Sequence, residues 1–355
     1  MTARIHPAWW LLAALLSIYP ILANDFFTLQ IGAYSLILGT IALSLTILAG
    51  YGGMVSLAQL TAAGLAAYVL PIFGTNSQGV LGIGWSHWLT IPMALLVGAS
   101  FSALVGLIAV RTSGIYTIMI TLAVAVSVFF FTRQNYELFN GFTGYAGIEA
   151  PKPFGYDLRA PLPFYYLCLI VAAGFGLATL YAARTPFGLS LQAVRDNPRR
   201  MAALGFSVAG IRVLAFFLAG FVAAAGGILL VFFNGRISPG TIGVDVAIDI
   251  LVIAVVGGLR HPIGPFIGAL AFVLLETFAI DLIARERFNS LIGTAFLLIV
   301  LFSPDGLLGL WNKIRPKIGP KISRPSLGLA GPQTGKTPQF DAAETQPISS
   351  REDTG

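Results

Sequence analysis

The feature that most constrains this chain is a succession of long, nearly uncharged apolar runs, each close to the length a helix needs to cross a bilayer. They lie at about 8–23, 29–50, 54–73, 88–110, 113–131, 162–182, 211–233, 246–259, 264–283 and 288–303. A hydrocarbon core about 30 Å thick takes ~20 helical residues, and it holds no water to satisfy backbone N–H and C=O groups. Runs of this kind therefore span as helices. Composition agrees, since 56% of the 355 residues are hydrophobic and 10% are charged, whereas a water-soluble domain carries about a quarter charged residues. The expected fold is an all-α, polytopic transmembrane helical bundle of about ten spans. Several runs are shorter than ~20 residues, so some spans should be broken or re-entrant.

The net charge of +6 reflects helix orientation and gives no reason to expect nucleic-acid binding. With both termini inside, 15 basic residues fall on the inner face and 6 (Arg133, Lys152, Arg159, Arg236, Arg285, Arg287) on the outer. Positive residues concentrate on the cytoplasmic side. This predicts a bacterial inner-membrane protein with cytoplasmic N- and C-termini. The N-terminus lacks a small-x-small cleavage pattern, because Ile21 sits where a small residue is needed for cleavage after Ala23, so a retained first span is expected.

Three polar segments interrupt or follow the runs. Residues 184–212 carry Arg184, Arg195, Arg199, Arg200 and Arg212. Within them, Asn197 is a good N-cap, Pro198 fits the first helical position, and Gly205 can take the left-handed conformation that ends a helix. Met201 and Leu204 then share a face at i, i+3 spacing, giving a short helix with an apolar edge and a cationic rim. Such an element suits docking to a soluble partner. Residues 132–161, with Tyr136, Tyr145 and Tyr156, form the longest outer connection and a candidate surface for an extracytoplasmic partner. Residues 312–355 are polar and rich in Pro, Gly, Ser and Thr, a composition expected to be disordered. Lys313, Arg315, Lys317, Lys321 and Arg324 at the start of this tail suit anionic membrane lipid.

The residues give no reason to expect catalysis. His6, His87 and His261 are scattered, Cys168 lies alone in an apolar run, and no metal-ligand or nucleophile spacing occurs. The tail segment Ala330-Gly-Pro-Gln-Thr-Gly335-Lys336-Thr337 superficially matches a phosphate-binding loop. It has no preceding strand, has Ala330 where the first glycine belongs, and meets Pro338 at once. No cofactor or metal is therefore expected on this chain. Asp249 and Glu276 lie within apolar runs, where carboxylates either line a pathway or bond neighbouring helices. Glycine clusters at Gly50, Gly52 and Gly53, and at Gly257, Gly258 and Gly264, allow close helix approach or broken helices lining a cavity. The first cluster directly precedes polar Ser56 and Gln59, which makes a helix break the stronger reading there.

Four stretches together resemble the permease subunits of the branched-chain amino-acid ABC transporter family, of the LivM type. They are Leu48-Ala-Gly-Tyr-Gly-Gly-Met-Val-Ser56-Leu-Ala-Gln59; Arg111-Thr-Ser-Gly114-Ile-Tyr116-Thr-Ile-Met-Ile-Thr121; the 184–217 loop with Thr185-Pro-Phe-Gly188 and Ala203-Leu-Gly205; and Asp249 through Gly257-Gly258 to Gly264-Pro265, closed by Ser303-Pro-Asp305-Gly306. The resemblance covers about Leu29 to Trp311. It implies a transmembrane permease domain over 1–311, with 184–212 as the cytoplasmic coupling loop that enters a cleft on an ATPase subunit. Arg195, Asp196, Asn197, Pro198, Met201, Leu204 and Gly205 are then the coupling residues. The pathway or helix-break candidates are Gly52, Gly53, Ser56, Gln59, Asp249, Gly257, Gly258, Gly264 and Glu276. This loop is more basic than is usual for similar permeases.

The resemblance also implies partners: a second homologous permease, two cytoplasmic ATPase subunits that hold the ATP and Mg, and an extracytoplasmic substrate-binding protein. The expected role is half of the translocation pathway of an ATP-driven importer for branched-chain or related amino acids. Urea, short amides or aromatic acids on the same scaffold are the alternative substrates. An ion-coupled secondary transporter working alone through Asp249 or Glu276 is the alternative mechanism.

Overall fold

The computed structural model describes residues 16–76, 81–112, 114–151, 158–282, 293–294 and 306–307, all within one compact unit, Met1–Ile314. The expected first span is described only from residue 16, where residues 16–22 are helical. The expected 288–303 span lies almost wholly outside the described residues, and the expected 312–355 tail entirely so.

The described chain is helical almost throughout. In order come α1 (Phe27–Tyr51), α2 (Gln59–Phe73), α3 (His87–Ala109), α4 (Ile115–Gln134) and the single turn α5 (Tyr136–Phe139). Strand β1 (Tyr145–Ala146) precedes α6 (Pro161–Ala182), α7 (Pro186–Asp196), α8 (Pro198–Ala203) and α9 (Val208–Asn234). Strand β2 (Arg236–Ile237) then leads to α10 (Val244–Gly257) and α11 (Gly264–Leu282). The two strands form one short antiparallel ribbon, with Tyr145 opposite Ile237.

Among the described residues, α1, α3, α4, α6 and α9 are long and apolar enough to cross a membrane. Helix α2 has 15 residues and α10 has 14. At 1.5 Å per residue they reach about 20 Å, less than a hydrocarbon core about 30 Å thick. These are the shortened segments that the run lengths anticipated.

The five long helices have similar hydropathy but not similar surroundings. The apolar stretch of α1 is 83% buried and that of α9 72%, against 33% for α3, 22% for α4 and 28% for α6. Helices α1 and α9 therefore form the centre. Small residues allow this. Gly227 of α9 lies so close to α2 that a Cβ there would collide with the Ala63 carbonyl, and a Cβ on Gly98 of α3 would stand 2.7 Å from that of Ala224. Between apolar helices, where burial itself supplies little attraction, such close approach provides the dispersion contacts that hold them. Some hydroxyls inside the helices are satisfied locally: Thr40 donates to Leu36 O at 2.7 Å, Ser44 to Ile41 O at 2.6 Å and Thr179 to Phe175 O at 2.8 Å. The outer helices turn Trp88, Leu104, Ile115, Leu177 and Tyr181 outward, an apolar surface suited to lipid tails.

Helix α1 is α-helical from Tyr34 to Leu45 and widens to π-turns at both ends, Phe27–Ala33 and Thr46–Tyr51. Such turns are uncommon and often accompany functional sites. The second lies against the polar segment that follows α6.

Candidate functional site

The segment after α6 is a stiff zigzag because its three helix starts are capped. The Thr185 hydroxyl accepts from Gly188 N–H at 3.3 Å and Pro186 occupies the first turn, so α7 begins there. The Asn197 side-chain Oδ1 accepts from Arg200 N–H at 2.9 Å, with Pro198 next, so α8 begins with only Asn197 between it and the end of α7. Gly205 turns the chain at φ +87°, and Ser207 caps α9 by accepting from Gly210 N–H at 3.2 Å.

This zigzag buries one side and exposes the other. Leu191, Val194 and Met201 turn inward at 2%, 0% and 7% exposure, while Leu189, Leu204 and Phe206 stand out at 59%, 67% and 49%. The expected Met201–Leu204 edge is not formed. Leu204 still donates its N–H to Arg200 O at 3.1 Å, so the spacing holds, but Met201 is packed inward while Leu204, the C-cap, is turned out, and the two do not form one presented edge. The apolar feature presented outward is Leu204 with Phe206. Phe206 was invisible to helical spacing because it lies beyond the cap. Pro198 is half-buried, whereas Asp196, Asn197 and Gly205 are exposed.

Arg195 connects this segment to the membrane helices. Its Nε donates to Asp196 Oδ1 at 2.9 Å, and its Nη1 donates to the Gly50 carbonyl at 2.7 Å. That carbonyl lies in the last turn of α1, where intrahelical donors run out. The chain itself supplies partners to the neighbouring carbonyls, since the N–H groups of Gly52, Met54 and Gly53 donate to Ile47, Leu48 and Ala49. Gly53 allows this by taking φ +67°, and a Cβ on it would stand 2.6 Å from the Arg195 Cγ. Arg195 thus places its charge at the negative end of α1.

Between α1 and α2 the chain leaves the helix over residues 52–58, and this stretch is mostly buried. The Ser56 hydroxyl accepts from Ala58 N–H at 3.3 Å, and Leu57 N–H donates to Thr121 Oγ1 of α4 at 3.2 Å. Gln59 opens α2 and donates from Nε2 to Ser102 Oγ of α3 at 3.1 Å. Ser102 in turn donates to Phe216 O of α9 at 2.7 Å. Ser56 and Gln59 are 0% and 1% exposed; Ser56 bonds only within the break, whereas Gln59 through Ser102 links α2, α3 and α9, and the Leu57 backbone reaches α4. Ser102, one of two serines in its apolar run, gave no sequence signal of this role.

The second glycine cluster is a tight hairpin. Gly258 ends α10 at φ +109°, and Gly257 and Gly264 face each other so closely that a Cβ on Gly257 would strike the Gly264 carbonyl. The same hairpin reaches α1, because a Cβ on Gly50 would strike the Leu259 carbonyl. Asp249, on α10, and Glu276, on α11, lie near enough to the Tyr34 hydroxyl at the head of α1's α-helical stretch to act on it electrostatically. They gather at the opposite end of those helices from the Gly50–Gly53 break. Among the described residues, no three His, Cys, Asp or Glu are placed to hold a metal.

The 132–161 connection is well built where it is described. The Asn135 side chain accepts from Leu138 N–H at 2.8 Å, Asn140 donates to Gly144 O at 2.7 Å and Tyr145 to Leu138 O at 2.9 Å. Ile148 N–H reaches Gly235 O at 3.1 Å, beside the β1–β2 ribbon. A cavity of about 540 Å³ is lined by Arg133, Gln134, Tyr136 and Phe142, and the Arg133 guanidinium sits 5.5 Å from the centre of the Phe142 ring.

Residues 27–301 match the family model described as branched-chain amino acid transport system / permease component. Among curated relatives, the ribose import permease protein RbsC of Haemophilus influenzae is 25% identical over 249 residues, 68% of this chain and 75% of that one. The high-affinity branched-chain amino acid transport system permease protein LivM of Salmonella typhimurium is 25% identical over 291 residues, 76% of this chain and 65% of that one. The nucleoside ABC transporter permease protein NupC of Lactococcus lactis is 27% identical over 270 residues, 71% of this chain and 83% of that one. No solved structure matches the chain.

Proposed function

Because the chain belongs to the branched-chain amino acid transport permease family, we propose that it forms half of the translocation pathway of an ATP-driven importer, paired with a second, homologous permease. In this reading residues 184–212 face the cytoplasm and dock on one of two ATPase subunits, which hold ATP and Mg. The 132–161 connection then faces outward, towards a substrate-binding protein. The observation that carries the reading is the capped α7–α8 zigzag, which is braced on its inner side and offers Leu204 and Phe206 outward from a cationic rim. Exposed apolar side chains on a polar segment mark interaction sites. ATP-driven closure of the ATPases would displace this element and bias the spans between two arrangements.

Branched-chain or related amino acids are the substrates we propose, on the family match and the likeness to LivM. A sugar or nucleoside is the second reading, favoured by comparable identity to the ribose and nucleoside permeases. The test is purification of a tagged chain from its native membrane in mild detergent, followed by uptake of labelled leucine, ribose and uridine by the reconstituted complex. Two ATPase chains and a second permease should accompany it. Leu204→Asp should still insert but lose the ATPases. Recovery of the chain alone, with uptake driven by an ion gradient, would overturn the reading and move attention to Asp249 and Glu276.

A further inference from the structure

Sequence position alone makes Arg195 a docking residue, one of several cations available to a partner. Its side chain does something else. Nη1 is committed to the Gly50 carbonyl at 2.7 Å and Nε to Asp196 at 2.9 Å. Its aliphatic stem lies over Gly53, the left-handed residue that closes α1. Leu191, one turn earlier on α7, packs beside Gly52, with its Cδ1 3.4 Å from where a Cβ would be. Gly50 is held from its other side by the Leu259 carbonyl of the α10–α11 hairpin. The last turn of α1 is therefore gripped between α7 and that hairpin, and Arg195 supplies the polar part of the grip. A charged donor on a helix-end carbonyl makes a short, directional bond, stronger than one between neutral groups. The adjoining break is a place where the chain can bend without disturbing α1's α-helical stretch, because the residues between Gly52 and Ala58 belong to neither helix.

We propose that Arg195 is a positioning residue that ties the coupling zigzag to the end of α1, so that displacement of α7–α8 is delivered to the 52–58 break and not to the helices at large. The inference rests on the proposed coupling role of 184–212, and it assigns Arg195 to transmission within the chain instead of contact with the ATPase. Bending at the break would also act on Gln59 and the Ser102–Phe216 bonds, which gives the displacement a route into α2, α3 and α9.

The test uses the purified complex with a thiol reporter at the break. Cys168 is fully buried, so Val55→Cys, at a half-buried position of the break, supplies the reactive thiol. Labelling by a membrane-impermeant maleimide is followed without nucleotide and after trapping with Mg-ATP and vanadate. With Arg195 in place, trapping should change the labelling rate by about threefold or more, as a shift between two populated arrangements requires. In Arg195→Gln the ATPases should still co-purify, but labelling should no longer respond to nucleotide. Arg195→Lys keeps a charged donor within reach of Gly50 and should retain at least about half of the response. Gly53→Val, which forces the Arg195 stem off the break, should lose it, and this variant carries the test if Arg195→Gln does not accumulate.

A nucleotide response that survives in Arg195→Gln or Gly53→Val overturns the proposal. Loss of the ATPases from Arg195→Gln also overturns it, because the side chain would then be a docking contact. A Lys variant as unresponsive as Gln, or a reporter silent in the parent complex with ATPases bound, overturns it as well. Absence of ATPases from the parent complex is a different failure, and sinks the coupling reading on which this one stands.

Discussion

Removing the Ser102 hydroxyl should cost this protein more than the one hydrogen-bond donor it deletes. Ser102 receives Gln59 Nε2 at 3.1 Å and donates to Phe216 O at 2.7 Å, and Gln59 is 1% exposed. In Ser102→Ala the Gln59 amide keeps its burial and loses this acceptor. Hydrogen bonds between membrane helices average about 0.6 kcal/mol and reach about 1.7, whereas an unsatisfied buried donor costs about 1–3 kcal/mol. The second effect dominates here, because water cannot replace the missing partner. The expected loss is therefore about 1–2 kcal/mol, roughly a tenfold change in the unfolding equilibrium at its midpoint. Gln59→Leu/Ser102→Ala replaces both partners with apolar groups and should recover about 1 kcal/mol of that loss. The assay is equilibrium unfolding in mixed micelles followed by tryptophan fluorescence, with both single variants and the double. Single and double effects that add to within about 0.5 kcal/mol would refute the argument, since independent sites add and a shared network does not.

Other perturbations test other parts of the structure. Gly227→Ala places a methyl against the Ala63 backbone, so it should destabilise the α2–α9 contact by about 1–3 kcal/mol in the same unfolding assay; an unchanged midpoint would contradict that close approach. Asn197→Ala removes the α8 cap and should cost about 1 kcal/mol locally, read as faster amide exchange over residues 199–201 with the global unfolding midpoint kept. Burial holds the His261 imidazole below its ordinary value of 6.5, and its Nδ1 accepts from Ile263 N–H at 3.3 Å. The neutral ring is the favoured form, so this contribution is present above pH 6.5 and is lost as pH falls through the lowered value. Melting temperatures from pH 8 to 5 should therefore decline less in His261→Ala than in the parent, and parallel curves would count against this role.

Much of the fold was legible because membrane-spanning segments obey a demanding rule. Runs such as 88–110, 162–182 and 211–233 could be read as helices nearly to their ends, corresponding to α3, α6 and α9. The short-helix punctuation was also readable, since Asn197, Pro198 and Gly205 act through their own backbones and immediate neighbours. The Met201–Leu204 edge failed because helical spacing does not say which part of a short helix packs inward, and here Met201 is buried while Leu204 is exposed. Arg195 was marked as important by its position, but its partner lies 145 residues away in the chain, and no local pattern announces it.

By itself the sequence determined the chemistry of the solvent this chain needs, the all-α class and the places where helices start and stop. These follow from satisfying the backbone locally, and each is settled within a few residues. Only the tertiary structure decided that α1 and α9 are central while α3, α4 and α6, with similar hydropathy, are peripheral. It alone buried Ser56, turned Gln59 inward to tie α2 to α3, and brought Arg195 onto the end of α1. The physical reason is that hydropathy reports the cost of leaving lipid for water, and lipid tails and a protein interior are almost equally apolar. What separates them is close packing and the matching of buried polar atoms, and both depend on residues far apart in the chain.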